Sequence, residues 1–129
     1  MQDWSFPCIE REKLVELYEL GGDEDGAEFV LDIINTYIED SEKRFAQLKA
    51  AIGAKDVTGI IKSAHALKSA SMTVGAEKLS SFFKKMEESG RNNDIVGIDE
   101  LFTCSEHEYF AVIEQFNDLK GKDLKDVFK

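Results

Sequence analysis

Apolar side chains recur along this chain every three or four residues, the interval that collects them on one face of a helix. The strict apolar–polar alternation of a half-buried strand is absent. Pro7 is the only proline, glycines at 21–22, 53, 75, 90 and 121 punctuate the recurrence, and five helical segments result. The first spans about 9–20 and turns Leu14, Leu17 and Tyr18 inward. The second opens behind the acidic stretch Asp23–Asp25 and runs to about 52, with the stripe Val30, Ile34, Tyr37, Ser41, Phe45, Leu48 and Ile52. The third, about 56–74, carries Val57, Ile60, Ile61, Ala64, Leu67, Ser71 and Val74. The fourth, about 76–89, carries Leu79, Phe82, Phe83 and Met86 and stops at Gly90, which reads as a C-cap. The fifth begins near Asp94 and repeats through Ile95, Ile98, Phe102, Ser105, Tyr109, Val112, Phe116 and Leu119. Residues 120–129 hold only the weak stripe Leu124 and Phe128 and read as a loose last turn.

Four amphipathic helices on short connections bury their stripes most simply against one another. The expected fold is all-α: an antiparallel four-helix bundle over about 24–119, with an additional short N-terminal helix across it. The chain then forms a single domain over 1–129, with an N-terminal arm and helix over 1–20 and a C-terminal tail over 120–129. Trp4, Phe6 and Pro7 read as an arm packed on the bundle. A hydrophobic content of 43% with nine phenylalanines supplies a core for 129 residues without staples. No apolar run is long enough to span a membrane, and Met1-Gln2-Asp3-Trp4 lacks the features of a secretory signal. Cys8 and Cys104 lie far apart without companions at metal-ligand spacing, so they read as reduced thiols of a cytoplasmic protein.

A net charge of −10 speaks against nucleic acid, which requires a basic footprint. The charge is uneven, however. Residues 60–91 hold six basic side chains (Lys62, Lys68, Lys78, Lys84, Lys85, Arg91) against three acidic ones (Glu77, Glu87, Glu88), leaving −13 on the remainder. Such an island suits a small anionic target, and it surrounds His65. At about 100° per residue, His65 lies roughly 120° from the centre of the third stripe, outside the buried arc. Lys68, Ser69 and Met72 follow at spacings that share its side, and Lys62 lies a turn before it. A lone surface histidine is most often solvated decoration. Here its neighbours are small and cations gather around it, the surroundings of an open nucleophile for a phosphoryl group.

The run Ala64-His65-Ala66-Leu67-Lys68-Ser69-Ala70-Ser71, followed by Gly75-Ala76, resembles the histidine-containing phosphotransfer (HPt) domain. That family's motif reads Ala-His-x-Leu-Lys-Gly-x-x-x-x-x-Gly-Ala, and the likeness extends over about residues 9–119. The resemblance implies that His65 is the phosphorylated histidine, that Lys68 helps neutralise its phosphoryl group, and that Gly75 ends the motif helix. It implies that Glu87 orients the imidazole through Nδ1 and that Arg91 adds a cation beside the site. From its own surroundings, Glu87 reads instead as an exposed acid at a helix end, and only the resemblance favours the orienting role. Ser69 departs from the family glycine, which keeps the docking surface open, so altered docking is expected there. Ile61, Lys62, Ser69, Met72 and Lys84, with Leu14 and Leu17 beside them, are candidates for that surface.

The resemblance further implies a phosphorelay intermediate without kinase activity or cofactor of its own. Its partners would be response-regulator receiver domains, which supply the aspartate and Mg²⁺, and a hybrid sensor kinase. A closed bundle with one exposed site is expected to be a monomer. A non-phosphorylated helical adaptor that docks signalling proteins is the alternative, but an adaptor does not need an imidazole at this point. A metal-binding bundle requires inward Glu and His at facing positions, and the stripes contain none. His107, between Glu106 and Glu108, reads as surface decoration.

Overall fold

The computed structural model describes residues 4–128, so Met1–Asp3 of the expected arm and signal reading, and Lys129 of the tail, lie outside the described residues. Five helices follow in order: α1 (Arg11–Gly53), α2 (Val57–Thr73), α3 (Glu77–Arg91), α4 (Ile98–Lys120) and α5 (Leu124–Phe128). There is no strand among the described residues. The expected break at Gly21-Gly22 is present as a kink within α1, where Gly22 leaves helical geometry at φ 84°, ψ 171°. Open space surrounds Gly22, so glycine is needed there for its backbone and not for room. The kink separates the short N-terminal helix from the long arm of α1, which completes a four-helix bundle with α2, α3 and α4.

The expected stripes form the core. Val30, Ile34, Tyr37, Ser41, Phe45 and Leu48 of α1 are buried, as are Ile60, Ala64, Leu67 and Ser71 of α2. From α4 come Ile98, Phe102, Ser105, Tyr109, Val112, Phe116 and Leu119. Phe45 stacks on Tyr109 and on Phe102, at centroid distances of 4.6 and 4.9 Å. The serines within the stripes have partners. Ser71 Oγ and the Tyr37 hydroxyl lie 2.8 Å apart, Ser41 Oγ and the Tyr109 hydroxyl 2.9 Å apart, and Ser105 donates to the Phe102 carbonyl. Burial raises the pKa of the Tyr37 and Tyr109 phenols above the ordinary value, so both remain neutral hydrogen-bonding groups.

One turn design closes three of the bundle helices. After α2, Gly75 takes φ 85° while Gly75 N–H donates to Met72 and Ala76 N–H to Ser71, the paired bonds of a Schellman motif. Gly75 also lies where a Cβ would come within 2.8 Å of the Glu10 carbonyl oxygen, and its own carbonyl accepts from Glu10 N–H. The same bonds close α1 through Lys55 and α3 through Asn93, both left-handed, at φ 54° and 53°. Asp56 then caps α2 by accepting from Gly59 N–H at 3.1 Å.

Several expectations are corrected. Gly90 is not the C-cap of α3: it is buried inside the helix, which continues to Arg91 and ends through Asn92 and Asn93. The fifth segment begins at Ile98 and not near Asp94, because Gly97 at φ 81° supplies the entry turn. Leu17, Tyr18, Ile52, Val57, Ile61, Phe82 and Ile95 are only partly buried. The tail is a packed element: Leu124 and Phe128 of α5 are buried, and Phe128 meets Trp4 and Tyr18. Arg11 reaches across to the Val127 carbonyl and lies over the Phe128 ring. Phe6 and Ile9 of the N-terminal segment join the core.

The left-handed Lys55 generates a test. Replacement of Lys55 by Gly removes the steric cost of a Cβ in that region and should raise stability by about 0.5–1 kcal/mol in urea unfolding. The opposite change at the matching turn, Gly75→Ala, should destabilise by more, because the new Cβ also meets the Glu10 backbone.

Candidate functional site

The site forms along the contact between α2 and α3. A Cβ on Gly90 would come within 2.7 Å of Ile61 Cγ1, so the absent side chain sets how near the α3 backbone lies to α2. Further along the same contact, the buried Ser80 hydroxyl donates to the Lys68 carbonyl at 2.8 Å. Between these two ties, side chains from both helices converge on one carboxylate.

That carboxylate belongs to Glu87, which is buried at 5% exposure and is not the exposed helix-end acid that its sequence surroundings favour. Its Oε2 lies 3.0 Å from His65 Nδ1 and accepts from Arg91 Nε at 3.1 Å and Nη2 at 2.7 Å. Its Oε1 accepts from Lys68 Nζ at 2.6 Å. Burial alone would raise the Glu87 pKa, but the bonds from Lys68, Arg91 and His65, with the Lys68 charge, outweigh it and hold it at about 2. An ionised carboxylate has no proton to give. In the neutral ring, therefore, Nδ1 carries the hydrogen and Nε2 has the free lone pair. The His65 side chain is 57% exposed, and no protein group among the described residues hydrogen-bonds Nε2.

Four of the candidate residues, His65, Lys68, Glu87 and Arg91, thus form one network. Lys68 shares the side of α2 that carries His65, yet its ammonium is engaged with Glu87. Two of the six cations in the basic stretch are spent on this one acid.

The docking candidates divide. Ser69, Met72 and Lys84 line a groove of about 760 Å³ beside the network, whose walls come from the short N-terminal helix, α2 and α3. Met72 is 43% exposed there, and Leu17 and Leu20 face it across the groove with Lys13. Ile61 instead packs toward Gly90, and Lys62 lines a separate hollow near Arg44 and Asp56. Leu14 is fully buried and presents no surface at all. Gly75 sits in the turn after α2 and does not line the groove. Sequence reasoning missed Lys13, Leu20, Ser80 and the approach at Gly90. For Gly90 a signal was available, since Asn92-Asn93 just beyond it offers another left-handed stop.

Other candidate chemistry does not assemble. His107 is exposed on α4. No group of three or more His, Cys, Asp or Glu side chains able to hold a metal is found among the described residues. No described helix is long and apolar enough to cross a membrane.

The family model described as the Hpt domain matches residues 32–122. Among solved structures, the chain is similar to histidine-containing phosphotransfer protein B from Pseudomonas aeruginosa PAO1, with a TM-score of 0.81 and 29% identity over 91% of this chain and 97% of that one. A search of curated proteins finds no significant match.

The lowered pKa of Glu87 fixes the sign of a pH effect. Its value falls from an ordinary 4.5 to about 2 on folding, so its ionic bonds contribute fully above about pH 4.5. That contribution should shrink as pH falls from about 4.5 toward 2, where the carboxylate protonates in the fold as well. Urea unfolding at successive pH values should show this loss, and Glu87→Gln should flatten the curve in that window.

Proposed function

This chain belongs to the Hpt domain family and is a histidine phosphotransfer intermediate of a phosphorelay, and on that premise we propose that it carries the phosphoryl group on His65 Nε2. The observation that carries the assignment is the exposed imidazole whose Nδ1 is held 3.0 Å from a buried, ionised carboxylate, which leaves Nε2 as the nucleophile. The donor in this reading is an aspartyl phosphate on a receiver domain, which also brings Mg²⁺, and a second receiver aspartate takes the group onward. A hybrid sensor kinase stands upstream. The carrier contributes no kinase chemistry and needs no cofactor of its own, and it acts as a monomer in the cytoplasm.

Transfer requires in-line approach and charge neutralisation more than any proton chemistry. The Nε2 lone pair forms the N–P bond as the bond between phosphorus and the aspartyl oxygen breaks, and that bond's electron pair leaves on the carboxylate. The Nδ1 hydrogen remains in its bond to Glu87. As the N–P bond forms, the ring acquires positive charge, and the Glu87 carboxylate lies where that charge develops. Lys68, on a flexible stem and 29% exposed, can swing from Glu87 Oε1 to the phosphoryl oxygens. Passing the group on runs these steps in reverse.

The groove beside the network suits a receiver surface. Met72, Leu17 and Leu20 offer apolar contact, while Lys13 and Lys84 place positive charge around the approach to an acidic, metal-binding pocket. Ser69 stands at the groove in place of the family's glycine, exposed and adjacent to Lys68.

Incubation with a phosphorylated receiver and Mg²⁺ should label His65, with a product labile to acid and stable to alkali as a phosphoramidate is. Replacement of His65 by Gln should abolish labelling with the bundle intact by circular dichroism, since the ring lies outside the core. A chain that no receiver from the same cell labels would overturn the assignment. Lys68→Ala should slow transfer in rapid-quench measurements without abolishing it. Ser69→Gly should raise the transfer rate by clearing the docking surface, at a cost of roughly 0.5 kcal/mol in helix stability.

A further inference from the structure

Three hydrogen-bond donors meet on a single oxygen of Glu87. Oε2 takes His65 Nδ1 together with Nε and Nη2 of Arg91, whereas Oε1 has Lys68 alone. Arg91 therefore does not span the carboxylate as a two-oxygen fork. It clamps the one oxygen that touches the imidazole. It does so from the residue after Gly90, beside the bare Cα that admits Ile61 of α2, so its own placement follows from that helix contact.

The two cations differ in what they are free to do. The Lys68 ammonium sits one turn beyond His65 on the same helix, within reach of a group on the ring, and its single contact is with Oε1. Arg91 lies on the opposite helix, four residues from Glu87, and both of its contacting nitrogens face Oε2. Once Lys68 turns to a phosphoryl group, Arg91 is the cation still holding the carboxylate. A freed glutamate can rotate away, and the ring then has no fixed partner to choose which nitrogen carries the hydrogen.

We propose that Arg91 is a positioning residue: by clamping Glu87 Oε2 against His65 Nδ1 it keeps the Nε2 lone pair available when Lys68 is drawn away. The proposal deepens the reading of His65 as the phosphoryl acceptor and rests on it for its consequence in transfer. It differs from a direct role, in which the guanidinium would touch the phosphoryl oxygens. Its chemistry is complete in the unphosphorylated chain, since it concerns where one hydrogen resides and involves no bond made or broken.

That residence can be read without any receiver. Long-range ¹H–¹⁵N correlation spectra of the full chain, in mildly alkaline buffer where imidazole is neutral, report the ratio of Nδ1–H to Nε2–H forms. His107 is the other histidine, and His65→Gln assigns the signals. The wild-type His65 should be dominated by the Nδ1–H form, and Lys68→Ala, which imitates the lysine's departure, should leave it so. Arg91→Ala should raise the Nε2–H fraction about threefold or more, the loss expected for removing a charge-assisted clamp. Arg91→Lys should restore part of the ratio, because an ammonium supplies the charge without two converging donors. A purely structural role would lower stability and leave the ratio alone. An unchanged ratio in Arg91→Ala overturns the proposal, and if transfer is nonetheless slowed, Arg91 acts on the phosphoryl group itself. A larger change in Lys68→Ala than in Arg91→Ala also overturns it, by giving the clamp to the lysine. If the ratio shifts as expected but receivers never label His65, the acceptor reading fails and the clamp stands.

Discussion

A carboxylate withdrawn from water must be paired or lose its charge, and in this fold that demand falls on Glu87. One residue from its own helix and two from α2 answer it, so satisfying the acid and joining the helices are the same event. The ties on either side serve the same junction. Ser80 bonds the backbone under Lys68, and the bare Cα of Gly90 admits Ile61. Neither touches the imidazole, yet both set the separation across which a 3.0 Å contact to Nδ1 is possible.

The bundle was legible because burial imposes a rhythm on sequence. Every stripe position from Val30 to Leu48 is inside, and so is every one from Ile98 to Leu119 in α4, since each must face the same neighbours turn after turn. Even the serines at 41, 71 and 105 kept to that rhythm, although nothing in the pattern tells which hydroxyl each would meet. Ends were less legible than faces. Gly90 carries the same letter whether it stops a helix or admits a neighbour, and only the distance to Ile61 separates the two uses. The tail is hard to read from sequence because two apolar residues make a poor stripe; the partners that order it, Trp4 and Tyr18, lie more than a hundred positions away.

The site divides along the same line. His65 was placed outside the core by helical geometry alone, and the motif resemblance singled out the residues that now converge around it. What neither could supply was the assignment of cations. Lys68 and Arg91 both count toward a basic surface, but their charges are directed at a buried acid, and Lys13 and Lys84 are the other lysines that line the groove. Charge counted along a chain carries no information about which partner holds it. Lys13 in particular belongs to a helix brought back over α2 by the kink at Gly22 and the contact between Glu10 and Gly75.

The hydroxyl pairs inside the core bear on how many ways this chain could be assembled. Oil-like contacts tolerate sliding: a helix moved by one turn still offers leucine to phenylalanine. A tyrosine that has found a serine does not tolerate it, because displacement strands two polar groups in a dry interior at about 1–3 kcal/mol each. Tyr37 with Ser71 locks the long arm of α1 to α2, and Ser41 with Tyr109 locks that arm to α4. They act as a vernier, reading out one alignment among several that apolar packing would accept. Ser71 is less than two turns from His65 along the same helix. The position of the exposed nitrogen is thereby indexed, from within, by groups that never meet the solvent.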